Sequence, residues 1–201
     1  MTAWLGRLGT PLFLGLLAGA GAIVAALWAG SSSAEQALLA ARWTARTALP
    51  LFLVAYLASS LVRLWPADLT RALARRRRQW GLGFAIAHGV HLVALAVNVL
   101  HFGPARPWQT LIGGGIAYLM VLLMALTSND TSVRRLGRGW RWLHRFGLHY
   151  IWLIFFISYA GRIGSADKMV TGWVFASLLI LALGVRLLAR RQGSKPSHGR
   201  I

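Results

Sequence analysis

The residues best able to do chemistry are histidines set in apolar sequence. His88, His91 and His101 interrupt GFAIAHGVHLVALAVNVLHFG (Gly83–Gly103), an uncharged stretch long enough to cross a bilayer. An ionisable side chain inside a membrane is costly and marks a functional site by default, although a lone polar group also joins helices through hydrogen bonds. His88 and His91 stand three apart and share one helix face. His101 falls about 15 Å further along the axis than His91, at the outer end, where an imidazole faces headgroups. A second pair, His144 and His149, opens a later apolar run in RWLHRFGLHY. Five residues apart, they are turned from each other by about 140°, so one serves as ligand and the other packs.

The rest of the composition narrows the chemistry. There is no cysteine, which excludes disulfides, thiolate catalysis, iron–sulfur clusters and haem attached through Cys-x-x-Cys-His. The four acids, Glu35, Asp68, Asp130 and Asp167, are expected in loops, leaving no carboxylate pair or intramembrane carboxylate relay. Zinc wants four ligands with carboxylates behind them, and the helical core offers no such set. A haem wants two axial nitrogens, which imidazoles on two facing helices supply while apolar side chains cover the ring. Arg78, Arg141 and Arg145 are candidates to meet its propionates or to dock an electron donor.

The elements that must position these groups are membrane spans. Hydrophobic residues make up 57% of the 201-residue chain, above the roughly 45–50% of soluble domains. Six apolar runs reach spanning length, at about Leu12–Ala29, Ala48–Trp65, Gly81–Phe102, Gln109–Thr127, Phe146–Ala160 and Met169–Leu188. The first is read as a span rather than a signal peptide, because it is long for an h-region and the rest of the chain is already polytopic. Arginines crowd alternate connections: Arg71 and Arg75–Arg78; Arg134, Arg135, Arg138, Arg141 and Arg145; and Arg186, Arg190, Arg191, Lys195 and Arg200. The opposite side holds only Arg42, Arg46, Arg106, Arg162 and Lys168. The positive-inside rule puts the dense side, with both termini, in the cytoplasm. Spans three and five then start from the same face, run parallel, and can hold a disc between them. The net charge of +18 belongs to topology and anionic lipid rather than to nucleic acid. The expected fold is an all-α, six-helix transmembrane bundle over residues 1–190, followed by a short disordered cytoplasmic tail, 191–201, that includes His198.

Two longer patterns carry a family resemblance. RRRRQWGLGFAIAHGVHL (Arg75–Leu92) and MALTSNDTSVRRLGRGWRWLHRF (Met124–Phe146) resemble the ferric reductase-like transmembrane domain, and most of all the haem-binding membrane subunits of bacterial periplasmic methionine sulfoxide reductase systems. The resemblance covers about residues 46–190. It implies a six-helix bundle that carries b-type haem in the inner membrane. Electrons would come from a cytoplasmic flavin reductase, with FMN or FAD on that partner, and pass to an outer acceptor such as a periplasmic reductase. His91 and His144 match the family's histidines. A further family histidine, about thirteen residues beyond His144, falls at Ile157 or Ser158, so one haem is expected rather than two. The axial pair is read as His91 with His144 or His149, with His88 as a substitute. The small-residue run Gly113–Tyr118 is read as helix packing or as the bed of a flat cofactor, and Trp140, Trp142 and Trp152 as belt, core or haem edge. The alternative function is a cofactor-free scaffold or transporter whose histidines bond helices together.

Overall fold

In the computed structural model, residues 2–104 and 106–193 are described, and their regular structure is helical throughout. The helices are α1 (Thr2–Ala29), α2 (Ser33–Leu64), α3 (Asp68–Arg75), α4 (Arg77–Val97), α5 (Trp108–Leu126), α6 (Asp130–Leu136), α7 (Arg138–Ala160) and α8 (Met169–Gly193). Helix α4 runs on into a π-helical turn, Asn98–Phe102.

Five of them, α1, α2, α4, α5 and α8, are long and apolar enough to cross a membrane. The expected fifth span, α7, is not among them, because Arg141, His144, Arg145 and His149 make its first half polar. The candidate chemistry and the weakened hydropathy have one cause. Helix α2 starts well before the expected Ala48. Ser32 caps it, its hydroxyl accepting from the Glu35 N–H at 3.3 Å, while the Glu35 carboxylate accepts from Ser31 N and Oγ at 2.9 and 2.6 Å. Gln36 then donates to the Leu27 and Gly30 carbonyls at 3.0 and 3.2 Å, satisfying the end of α1. Arg42 and Arg46 therefore lie within α2 rather than in an outer loop. Glu35, Asp68 and Asp130 likewise occupy first helical turns, where the helix dipole favours a negative charge, and not loops as expected. Helix α8 continues past Leu188 to Gly193. The remaining tail residues, with Lys195, His198 and Arg200, lie outside the described residues.

Helices α1, α2 and α4 form the tightest group, with α5 paired to α7, and α8 closing on both α2 and α7. The α1–α4 crossing is glycine-dependent. A Cβ on Gly83 would stand 2.2 Å from the Pro11 carbonyl oxygen, and one on Gly15 would stand 2.1 Å from that of Gly83. Small residues that let backbones approach are what a lipid solvent requires, since apolar burial alone does not drive helices together there. Phe52 and Tyr56 of α2 anchor the common core with Phe84, Met124, Ile151, Phe155, Tyr159 and Leu179. Helices α4 and α7 meet through rings, as in Phe84–Phe155 at 6.2 Å between centroids, rather than by backbone packing.

Candidate functional site

Where the arginine-rich segments converge, a cavity of about 780 Å³ opens between α2, α4, α5, α7 and α8. That volume sits within the roughly 300–1,000 Å³ of small-molecule and cofactor pockets. Phe52, Phe84, Val121, Met124 and Leu148 give it an apolar lining, and Ala55, Gly81 and Ala85 make one side shallow. A Cβ added at Gly81 would meet nothing within 4 Å, so the α4 backbone borders open space there. The rim carries Arg77, Arg78, Arg141, Arg145, Arg186 and Arg190. Among the lining residues the sole imidazole is His144.

His144 is held by two neighbours. Thr127 Oγ1 donates to the Leu123 carbonyl at 2.7 Å. With its proton committed there, it accepts from His144 Nε2–H at 3.2 Å. That bond fixes the neutral tautomer and leaves the lone pair on Nδ1. The Trp140 indole stacks on the imidazole at 4.1 Å, and its Nε1 donates to the Thr127 carbonyl at 2.9 Å. Asn129 caps α6 by accepting from Ser132 N at 2.7 Å, and Asp130 pairs with Arg78 at 3.0 Å.

His88 and His91 form a separate cluster. Their rings lie 5.1 Å apart, and His88 stacks on Tyr118 at 4.8 Å with Phe84 and Phe155 at 5.0 and 5.5 Å. His88 Nδ1 and the Tyr118 hydroxyl are buried with no hydrogen-bond partner among the described residues. His91 Nδ1 lies 3.0 Å from Thr44 Oγ1, whose own proton goes to the Ala40 carbonyl at 2.6 Å. His91 is thereby the donor, and its Nε2 keeps the lone pair. Neither His88 nor His91 lines the cavity. His91 lies within electrostatic reach of Arg162, just past the far end of α7, and His144 within reach of Arg77, at the start of α4. The expected pairing of His91 with His144 across one gap is therefore not what the packing presents.

His149 is also set apart. Its Nδ1–H donates to the Arg145 carbonyl at 2.6 Å, and its Nε2 accepts from Arg190 at 3.2 Å, so both nitrogens are engaged. His101 sits exposed in the π-helical turn. Of the tryptophans, Trp140 borders the cavity, while Trp152 donates to the Leu179 carbonyl and the exposed Trp142 stacks on Phe146. The run Gly113–Gly115 does not line the cavity; Gly113 accepts from the Tyr150 hydroxyl at 3.1 Å, a helix-packing role.

No family model and no solved structure matches the chain. Among curated proteins, the protein-methionine-sulfoxide reductase heme-binding subunit MsrQ of Klebsiella pneumoniae subsp. pneumoniae is 31% identical over 159 residues, 71% of this chain and 78% of that protein. The chain belongs to the MsrQ family. The MsrQ of Salmonella newport is 32% identical over 146 residues, 64% of this chain and 71% of its own length. That of Cronobacter sakazakii is 34% identical over 133 residues, 58% of this chain, which spans 64% of that relative's length.

In this member of the MsrQ family, the ALTS and RLG-x-x-W-x-x-LH patterns close on each other. Thr127 from the first holds His144 and receives Trp140 from the second, so their joint presence in the sequence is one structural unit. Arg78, Arg141 and Arg145, the arginines singled out in the sequence, all line the cavity. Arg77, Arg186 and Arg190 join them but read from sequence only as topology and tail charges. Arg186 carried a signal nonetheless: it interrupts the apolar run of α8, and such a charge faces a partner or a cavity. Here its guanidinium donates to the Tyr56 carbonyl at 2.5 Å and lies 4.4 Å over the Tyr56 ring.

Proposed function

We propose that this chain is the haem-carrying membrane subunit of an oxidoreductase. It takes electrons from a cytoplasmic flavin reductase, which brings FMN or FAD, and passes them across the inner membrane to an outer methionine sulfoxide reductase. The observation that carries this reading is the cavity with one oriented imidazole, an apolar lining and six arginines at its rim. Those residues fit a haem by the chemistry of the donor set. His144 offers a neutral nitrogen, the shallow side at Gly81 leaves room for a flat ring, and guanidiniums at the rim match two propionates. Haem b, when bound, supplies the one-electron chemistry.

The chain's own residues set the conditions for that chemistry. Thr127 and Trp140 fix the imidazole before anything binds, so little ordering remains. Phe52, Phe84, Val121 and Leu148 keep water from the ring face. The exposed arginines outside the cavity, Arg75, Arg76, Arg134 and Arg135, give a docking partner an electrostatic target. Beyond the cavity, Phe84, Phe155, His88 and His91 continue an aromatic series toward the Arg162 end. Six crossings with both termini in the cytoplasm are supported by the arginine distribution, with α7 crossing while its polar first turns sit at the interface.

The test is a visible spectrum of protein expressed with ample haem and purified gently, alongside His144→Ala, His91→Ala and a His198→Ala control. A Soret band is expected in the parent and in the control, and His144→Ala is expected to lose most of it. A parent with no Soret band at all would leave the bundle as a cofactor-free scaffold whose histidines only join helices.

A further inference from the structure

We infer that the groove between α1 and α2 is a phospholipid site, in which an acyl chain lies along α1 and Arg46 holds the phosphate of a lipid with a net negative headgroup. This goes beyond the haem reading and does not depend on it. The groove has a volume of about 500 Å³. Ala18, Gly21, Ala22 and Ala25 form most of its α1 wall, with Trp43 and Arg46 on the α2 side. Gly19 packs on Val90 of α4, whereas Gly21, about 200° further round the helix, faces the groove, and a Cβ there would meet nothing within 4 Å. No side chain of the bundle fills that space.

A guanidinium set in an apolar wall needs a counter-charge, and the acidic side chains of this chain are all engaged elsewhere. Glu35 accepts from Ser31, while Asp68, Asp130 and Asp167 pair with Arg71, Arg78 and Lys168. Arg46 Nε is buried with no hydrogen-bond partner among the described residues. Its cationic neighbours add to the demand: Arg42 stands one turn earlier on the same face of α2, and Arg162 also lies within electrostatic reach. Arg162 comes just after the end of α7 at Ala160, in the turn that leads to α8. Lipid-exposed turns do not occur within hydrocarbon, so Arg46, although inside α2, is level with the membrane interface, where lipid phosphates lie. The planar fork of its guanidinium suits a phosphodiester, and from there the groove runs along α1 to Ala18 as a bed for the chain.

The test is native mass spectrometry of the purified protein from detergent micelles doped with dioleoylphosphatidylglycerol or, separately, dioleoylphosphatidylcholine. The parent is expected to retain one phosphatidylglycerol at concentrations where phosphatidylcholine is not retained. Arg46→Gln should weaken that retention about tenfold, as loss of a charge-assisted contact does. Gly21→Leu, which keeps Arg46 but fills the groove, should weaken it as well, and tests the site even if the Arg46 variant folds poorly. Gln at Arg75 and Arg134, in the basic connections, should leave it unchanged. Equal retention of the two lipids by the parent overturns the inference, as does parental affinity in either Arg46→Gln or Gly21→Leu. Loss of the lipid on substitution of Arg75 and Arg134 would place it on the basic connections instead, and displacement by inorganic phosphate would leave only a bare anion site; both results overturn the inference.

Discussion

Replacing Thr127 with valine isolates how the fold aims His144. The hydroxyl makes two bonds, to the Leu123 carbonyl at 2.7 Å and with His144 Nε2 at 3.2 Å, and valine keeps the branched shape while removing both. The Leu123 bond is a local back-bond in a helix whose carbonyl is already satisfied, so its loss is minor. The imidazole bond is worth about 0.5–1.5 kcal/mol net. Loss of an orienting partner typically weakens metal binding about 10–100-fold. Trp140 still stacks on the ring at 4.1 Å, and its anchor is the Thr127 carbonyl, which valine retains. The effect should therefore fall at the low end, about tenfold, or about 1.4 kcal/mol. Titrating haem into the apo-protein and following the Soret band measures it, with Thr127→Ser expected to recover most of the affinity. Equal affinity in parent and Thr127→Val, or a serine variant as weak as the valine one, would refute the reasoning.

Other perturbations probe the frame around the site. Gly83→Ala drives a Cβ to 2.2 Å from a backbone oxygen that cannot swing aside, which should cost about 1–3 kcal/mol and lower the thermal midpoint in detergent. Gly89→Ala, with nothing within 4 Å, should be neutral or slightly stabilising; matching midpoints for the two would discount the close α1–α4 crossing. Gln at Arg75, Arg76, Arg134 and Arg135, all outside the cavity lining, should slow haem reduction by a cytoplasmic flavoprotein while leaving haem content unchanged. Salt should reproduce that slowing as it passes about 0.1 M, where the screening length is about 10 Å, and insensitivity to both changes would remove the docking face.

Long apolar runs made most of the spans legible in the sequence, because lipid imposes length and hydropathy directly. The helical parts of the basic connections, α3 and α6, were not legible, since their signal is a capped turn or two rather than a span. Choosing between His144 and His149 needed the rotation of α7 about its axis. That rotation is set by the buried stripe Gly147, Ile151, Phe155 and Tyr159, spaced four apart. His144 lies three before Gly147 and so near the stripe, whereas His149 lies two after it and points toward Arg190. A single sequence offers this stripe only weakly, because Trp152, Leu153, Ile154 and Phe156 are as apolar as its members. The convergence of Arg77, Arg186 and Arg190 on one cavity is tertiary, arising where α2, α4 and α8 meet, and had no local mark except the charge within α8.

The missing histidine of α7 shows the same rotation at work. The family resemblance implies an imidazole at Ile157 or Ser158, and the simplest route to a second, outer haem with His91 would be to restore it by Ile157→His. The helix geometry argues otherwise. Position 157 is two residues from both Phe155 and Tyr159, about 200° away from each, and these two are 6% and 1% exposed while Ile157 is 57% exposed. An imidazole there would point away from the bundle. The inward place at that depth is filled by Phe155, whose ring lies 5.5 Å from His88, and by Tyr118, which stacks on the same imidazole at 4.8 Å. A second ring would need both aromatics displaced. Ile157→His is therefore expected to leave the haem-to-protein ratio unchanged, as measured by pyridine haemochrome against amino-acid analysis. A ratio that doubles, and returns to the parent value when His91→Ala is added, would mean that α7 turns its other face to α4 when haem is present, and the assignment of its buried stripe would fall with it.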